Sequence, residues 1–313
     1  MLHLFKKRTF SEYIGDTFAF FKENGKHFFK HYFIINGGLL LLLLVLSYFI
    51  FKVYFEVLFS SIGTNAPNFL EDYFNNNIAL IIGVFLFFLI VILFVSLVNY
   101  AFPIIYLQLY EKHKGCNFET VDLIKAMKAK IGKIILFFLA LVGLSLTAGL
   151  LLMAIVFALF FVIIGIPLAI IGIPALMAWV QLSFYEYLNE DMGILEAYGR
   201  GFDKLKQQFW PIVGSTLIMY IIIQTIATVF IAIPYIIGVI DMVTNIENQQ
   251  TDADAFSFFS IMMVIVMCIS ILVSYILNNI MIINGGIIYY SLRDQNENIT
   301  TLSDIDQIGT PSE

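Results

Sequence analysis

Residues 134–185 form a run of 52 residues without a single Asp, Glu, Lys or Arg, and residues 78–110 form a second of 33. An α-helix rises 1.5 Å per residue, so about 20 apolar residues cross a hydrocarbon core of ~30 Å. The longer run is too long for one crossing and fits two helices joined by a tight turn. Gly165-Ile-Pro167 and Gly172-Ile-Pro174 place that turn between Val156 and Pro167. Composition agrees: the chain is 60% hydrophobic and 13% charged, with 32 Phe and 16 Tyr, whereas soluble domains are about a quarter charged. A soluble fold of this size could not hide so much apolar surface; a bilayer can. The net charge of −6 excludes a broadly basic nucleic-acid binder.

Six spans are expected, over residues 33–53, 78–102, 134–157, 162–184, 212–233 and 257–284. Of the 17 Lys and Arg, 16 fall before span one, between spans two and three, between spans four and five, or after span six; only Lys52 is left for the other side. Excess positive charge marks the cytoplasmic side. The expected topology therefore has both termini in the cytoplasm and acidic outer loops near residues 55–75 and 242–255. The polar, basic start from Met1 to Thr9 lacks a following short apolar stretch with a small-residue cleavage site, so no signal peptide is expected. Cys116 and Cys268 read as a cytoplasmic loop residue and a mid-membrane residue, which argues against a disulfide. The abundance of Ile, Asn, Lys and Phe points to an AT-rich bacterial genome, and hence to a bacterial inner membrane.

The cytoplasmic stretches before the odd spans carry helical periodicity with one apolar face. In the first, Phe10, Tyr13, Ile14, Phe18, Phe21, Phe28, Phe29 and Tyr32 alternate with Glu12, Asp16, Lys22, Glu23, Lys26 and Lys30, and Thr9 with Glu12 forms a capping-box pair. The second has Val121, Ile124, Met127 and Ile131 on one side; the third has Leu195, Tyr198, Phe202, Leu205 and Phe209. Such helices lie in the headgroup plane. The fold expected is thus an all-α membrane protein: six transmembrane helices plus three cytoplasmic-side amphipathic in-plane helices, as three repeats of amphipathic helix and transmembrane hairpin. The repeats span 9–111, 117–186 and 191–294 of a single membrane domain, 1–313, with a polar tail at 295–313. Their ends align without gaps: Pro103-Ile-Ile-Tyr-Leu-Gln-Leu-Tyr-Glu111, Ala178-Trp-Val-Gln-Leu-Ser-Phe-Tyr-Glu186 and Gly286-Ile-Ile-Tyr-Tyr-Ser-Leu-Arg-Asp294.

The segment from Gly193 to Trp210, with Glu196-Ala197, Arg200 and the pair Phe209-Trp210 leading into a span, resembles the amphipathic elbow of a bacterial six-helix integral membrane family. The ending Tyr289-Tyr-Ser-Leu-Arg293 is similar to that family's Tyr-Tyr-Asp-Leu-Arg tail, with Ser291 in place of Asp. Related domains precede the catalytic domain of some glycerophosphodiester phosphodiesterases, and others stand alone. The resemblance implies the architecture. It does not imply the phosphodiesterase activity, since no such barrel follows the membrane region in this sequence.

No catalytic, nucleotide or cofactor constellation is present in the residue pattern. His27 and His31, four apart on a helix, have the spacing of two metal ligands but lack a third nearby, and read as interfacial histidines rather than a metal site. No ionisable residue lies deep in an expected span, which counts against an ion-coupled transporter. Asn99, Gln181, Asn278, Asn279 and Asn284 gather toward the inner ends of the even spans and read as interhelical glue; Gly37-Gly38 and Gly285-Gly286 read as points of close helix approach. The repeat register places Glu111, Glu186 and Asp294 at equivalent inner ends, with Tyr106, Gln181 and Tyr289 about one turn deeper, from which a polar inner mouth could be built. The function expected is non-enzymatic, engaging membrane lipids or a protein partner, with no nucleic acid and no cofactor. The alternative is a transporter of an uncharged or amphiphilic solute through the space between repeats.

Overall fold

The computed structural model describes residues 2–60, 69–144, 154, 157, 165–247 and 252–299. Among these there are eight helices and no strand: α1 (Phe10–Ser60), α2 (Phe69–Lys112), α3 (Thr120–Ala129), α4 (Ile131–Leu144), α5 (Gly165–Asn189), α6 (Ile194–Gln207), α7 (Phe209–Glu247) and α8 (Asp252–Glu297). Five of them, α1, α2, α5, α7 and α8, are long and apolar enough to cross a membrane. The apolar α4 covers the first part of the expected span 134–157, whose remainder lies largely outside the described residues. The expected turn between spans three and four lies there too, except that Gly165–Pro167 already open α5. Residues 61–68 and 248–251, within the two loops expected on the outer side, and the tail beyond residue 299 are likewise outside them.

The amphipathic stretches join their spans in two ways. α3 and α6 are separate short helices. α3 closes at Lys130, and α6 closes at Gln208, whose φ of −137° and ψ of 53° leave the helical region before α7 restarts at Phe209. The first stretch has no such break: α1 runs unbroken from Phe10 to Ser60, 51 residues or about 77 Å. No proline interrupts it, and Gly37-Gly38, though weak helix formers, still donate to the ladder.

The described chain divides into two compact units. The first comprises residues 1–35, 99–222 and 279–313. Its core is aromatic: Tyr13, Phe20, Phe28, Tyr32, Phe102, Tyr106 and Tyr110 are fully buried, and Phe20 meets Tyr106 and Tyr110 edge-on at 6.0 and 5.7 Å. Positions matched by the repeat alignment share this burial, as in Ile104 with Ile287, Tyr106 with Tyr289, and Tyr110 with Tyr185. Amides stitch the helices together: Tyr32 donates to Asn99 at 2.7 Å, Asn279 donates to the same Asn99 oxygen at 3.4 Å, and Asn284 donates to Thr17 at 3.0 Å. Gly285 and Gly286 permit contact that no side chain would: a Cβ on Gly285 would overlap the Gln181 amide, and one on Gly286 would overlap Leu107 and Tyr185.

After α2 the chain reverses through Lys114 (φ 48°) and Gly115 (φ 131°), with Gly115 N–H donating to Tyr110 O at 2.8 Å and Lys114 N–H to Glu111 O at 3.2 Å. This is the Schellman arrangement, and it satisfies the last carbonyls of the helix. The second unit comprises residues 36–98 and 223–278. Leu41, Phe49, Leu80, Phe94, Phe230 and Ile233 are exposed on it, while Val95 and Val264 are buried inside. Outward apolar side chains of this size suit hydrocarbon rather than water. Gly238 admits Met262, whose Cβ would stand 2.8 Å from an added Cβ, and Ser96 lies 3.0 Å from the Tyr275 hydroxyl. Gly37 and Gly38, in contrast, have no described neighbour within 4 Å of an added Cβ, so the expected close approach is not made there.

Candidate functional site

Within the first unit, the C-terminal ends of α5 and α8 and the outer edge of α6 enclose a polar cleft of about 300 Å³. α5 supplies Glu186, and Glu190 follows just beyond its end; α6 supplies Arg200, Asp203, Lys204 and Gln207; α8 supplies Tyr289, Arg293, Asn296 and Glu297. Local sequence dictates how α6 reaches this position. Ala197, Tyr198, Gly201 and Leu205 recur at helical spacing and form its buried face. Gly201 lets that face approach α5 so closely that a Cβ would sit 2.7 Å from the Ser183 nitrogen. The indole N–H of Trp179 donates to Tyr198 O at 2.9 Å, and Phe137 stacks on Tyr198 at 5.2 Å. Three residues beyond Gly201, at the rim of the buried face, Lys204 buries its stem and directs its ammonium into the cleft.

There Lys204 Nζ lies 2.7 Å from Glu186 Oε1 and 4.6 Å above the Tyr289 ring. Both partners of the ion pair are mostly withdrawn from water, Glu186 being 2% exposed. Arg293 reaches Glu190 at 3.1 Å and Glu297 at 3.0 Å. Tyr289 is fully buried and stacks on Tyr185 at 5.3 Å. Its hydroxyl has no hydrogen-bond partner among the described residues. An unsatisfied buried hydroxyl costs about 1–3 kcal/mol. Large apolar side chains also stand exposed on α6 and at the start of α7: Leu195 is 83% exposed, Phe202 48% and Trp210 68%. Tyr198, on the opposite face, has a phenol pushed up to about 12 by burial.

Of the six residues from which an inner mouth was expected, Glu186 and Tyr289 line this cleft and meet through Lys204. Asp294 is buried at the same end of α8, whereas Glu111 is exposed. Gln181 faces Gly285 and lines a separate apolar cavity of about 40 Å³. Tyr106 belongs to another cluster: its hydroxyl lies 2.8 Å from His27 Nδ1 and 3.5 Å from Cys116 Sγ. His27 and His31 bring their Nε2 atoms to 3.0 Å, and His31 Nδ1 lies 2.5 Å from Thr120 Oγ1. No third His, Cys, Asp or Glu among the described residues joins them as a metal site. Cys116 and Cys268 are both free thiols.

Three cations central to this end of the unit carry no sequence signal. Lys204 and Arg293 look like ordinary flanking charges, yet Lys204 meets Glu186 of α5 and Arg293 meets Glu190 just beyond α5 as well as Glu297 of its own helix. Arg8 is buried at 3% exposure: it pairs with Asp16 at 2.8 Å, donates to Leu4 O at 2.6 Å, and its backbone N–H donates to Ser291 Oγ at 3.0 Å. The serine that departs from the resembled tail thus anchors the N-terminal segment to α8. Nearby, Lys130 donates to Gln108 Oε1 at 2.7 Å and Leu188 O at 2.6 Å, and burial with the adjacent Lys133 pushes its pKa down. The Lys133 ammonium, 2.9 Å away, holds the Asp191 carboxyl below its ordinary range.

No family model matches the chain, and neither the curated proteins nor the solved structures contain a match to it.

Proposed function

We propose that this chain is a non-enzymatic multi-pass protein of the bacterial inner membrane that engages lipid at the cytoplasmic surface through the α5–α6–α8 cleft. In this reading six spans and three in-plane helices form three repeats related to the resembled six-helix family, with both termini inside. The observation that carries the reading is the pairing of opposites on α6. One helix offers Arg200, Asp203, Lys204 and Gln207 to a charged cleft while presenting Leu195 and Phe202 outward, with Trp210 just beyond. Aromatic and aliphatic side chains beside charges mark the headgroup level of a bilayer. The asymmetry of Lys and Arg along the sequence puts this level on the inner face.

Trp179 and Trp210 are the two tryptophans. In a Trp179→Phe variant reconstituted into vesicles, lipids brominated at defined depths report on Trp210 alone. Quenching strongest for bromines just below the headgroups is the expected result. Quenching by aqueous iodide with none by brominated lipid would put α6 in bulk water and end this reading.

A further inference from the structure

We infer that the cleft is a binding site for an aminophosphate zwitterion, the chemistry of a phosphatidylethanolamine headgroup. The inference rests on the membrane reading above for the source of the ligand, but its chemical argument is separate. Every cation lining the cleft already holds a carboxylate: Lys204 holds Glu186 at 2.7 Å, Arg293 holds Glu190 at 3.1 Å, and Arg200 holds Glu196 at 2.9 Å. A simple anion entering would have to strip a cation from its carboxylate and leave that carboxylate uncompensated in a half-buried place. A simple cation would do the reverse. At the Lys204–Glu186 pair, where Glu186 is 2% exposed, either leaves an unpaired charge out of water, which is the costly outcome. A ligand that carries an ammonium and a phosphate a few ångströms apart escapes this. It exchanges one internal ion pair for two intermolecular ones, the phosphate taken by Lys204 or Arg293 and the ammonium by the carboxylate released.

The Tyr289 hydroxyl selects for the same ligand. It is fully buried, lines the cleft, and lacks a hydrogen-bond partner among the described residues. A phosphate oxygen would accept its proton, as charge-assisted hydrogen bonds favour. The ring itself is already engaged by Lys204, whose ammonium lies 4.6 Å from its centroid. A volume of about 300 Å³ is at the lower end for small-molecule sites, enough for a headgroup whose acyl chains remain outside beside Phe202 and Trp210.

The test uses the purified full chain in detergent, titrated with short-chain phosphatidylethanolamine, phosphatidylcholine and phosphatidylglycerol, and with soluble phosphoethanolamine. Phosphatidylethanolamine should bind tightest, since its primary ammonium can donate hydrogen bonds to carboxylates whereas choline's cannot and glycerol lacks the charge. Tyr289→Phe should weaken that binding roughly tenfold, the worth of one charge-assisted hydrogen bond. Tyr198→Phe, which removes an equally buried hydroxyl outside the cleft, should leave it unchanged. Tyr289-dependent binding of phosphoethanolamine without binding of the lipid would uphold the zwitterion and assign a soluble source. Equal affinity for phosphatidylglycerol, or indifference to Tyr289→Phe, would overturn the assignment. Trp210 quenching that persists in that case would leave the membrane reading standing, and selectivity without quenching would remove the membrane reading alone.

Discussion

At the scale of single residues, the buried Glu186–Lys204 pair is the most consequential feature of the cleft. Removing one partner of a buried pair costs about 3–5 kcal/mol, because the other charge is left unpaired, while removing both often costs little. Lys204→Met alone should therefore destabilise the protein strongly, and the double variant Glu186→Gln with Lys204→Met should recover much of the loss, as read by thermal unfolding in detergent. Tyr198 offers the opposite case. Its hydroxyl is buried without a partner among the described residues, so Tyr198→Phe should be neutral or stabilising by up to about 1–3 kcal/mol near neutral pH. Its folded-state pKa of about 12 lies above the ordinary value of 10.0. A raised value means that the site's contribution is fully present below pH 10 and is lost as pH rises through 12. Alkaline unfolding should accordingly set in earlier for the wild type than for Tyr198→Phe, and coincident alkaline curves would count against this account.

At the scale of elements, glycines divide into those that seat helices and those that do not. Gly201 holds α6 against the α5 backbone, and nothing rigid there can move aside for a side chain. Gly201→Val should cost at least about 1–3 kcal/mol by overpacking and should swing α6 away from the cleft. Hydrogen exchange rising selectively across residues 194–207 would report it. Gly37 has no described neighbour within 4 Å of an added Cβ. Gly37→Ala in the middle of α1 should instead gain about 0.5–1 kcal/mol of helix stability through the lost backbone freedom of the unfolded chain. The two Gly-Gly pairs read identically in the sequence. What separates them is whether another helix passes alongside, which the pairs themselves do not encode. The same lesson holds for the amphipathic stretches. All three carry helical periodicity in the sequence, but only α3 and α6 end in a break, and α1 continues unbroken to Ser60.

At the scale of the whole molecule, the charge asymmetry makes the sharpest forecast. In a background lacking Cys116 and Cys268, a membrane-impermeant thiol reagent applied to intact cells should label Asn65→Cys and Asp252→Cys and spare Lys125→Cys. Labelling of Lys125→Cys without cell lysis would reverse the topology.

The sequence by itself determined the class of this protein. Long apolar runs without charge leave a chain no alternative to helices in an apolar solvent, and that constraint is local to each run. Its charge asymmetry also sets an expectation for which side the basic segments face, since that rule counts residues rather than contacts. Of the six residues expected to form an inner mouth, Glu186 and Tyr289 stand in the cleft. Only the tertiary structure decided the rest. Arg8, Lys204 and Arg293 are site and anchor residues because Ser291, Glu186 and Glu190, each from another segment, meet them. Glu111, at the same aligned position as Glu186, is exposed, whereas Glu186 is buried against Lys204 of α6. Ion pairing and burial depend on pairs of positions far apart in the chain, and no periodicity within one segment can specify its partner in another.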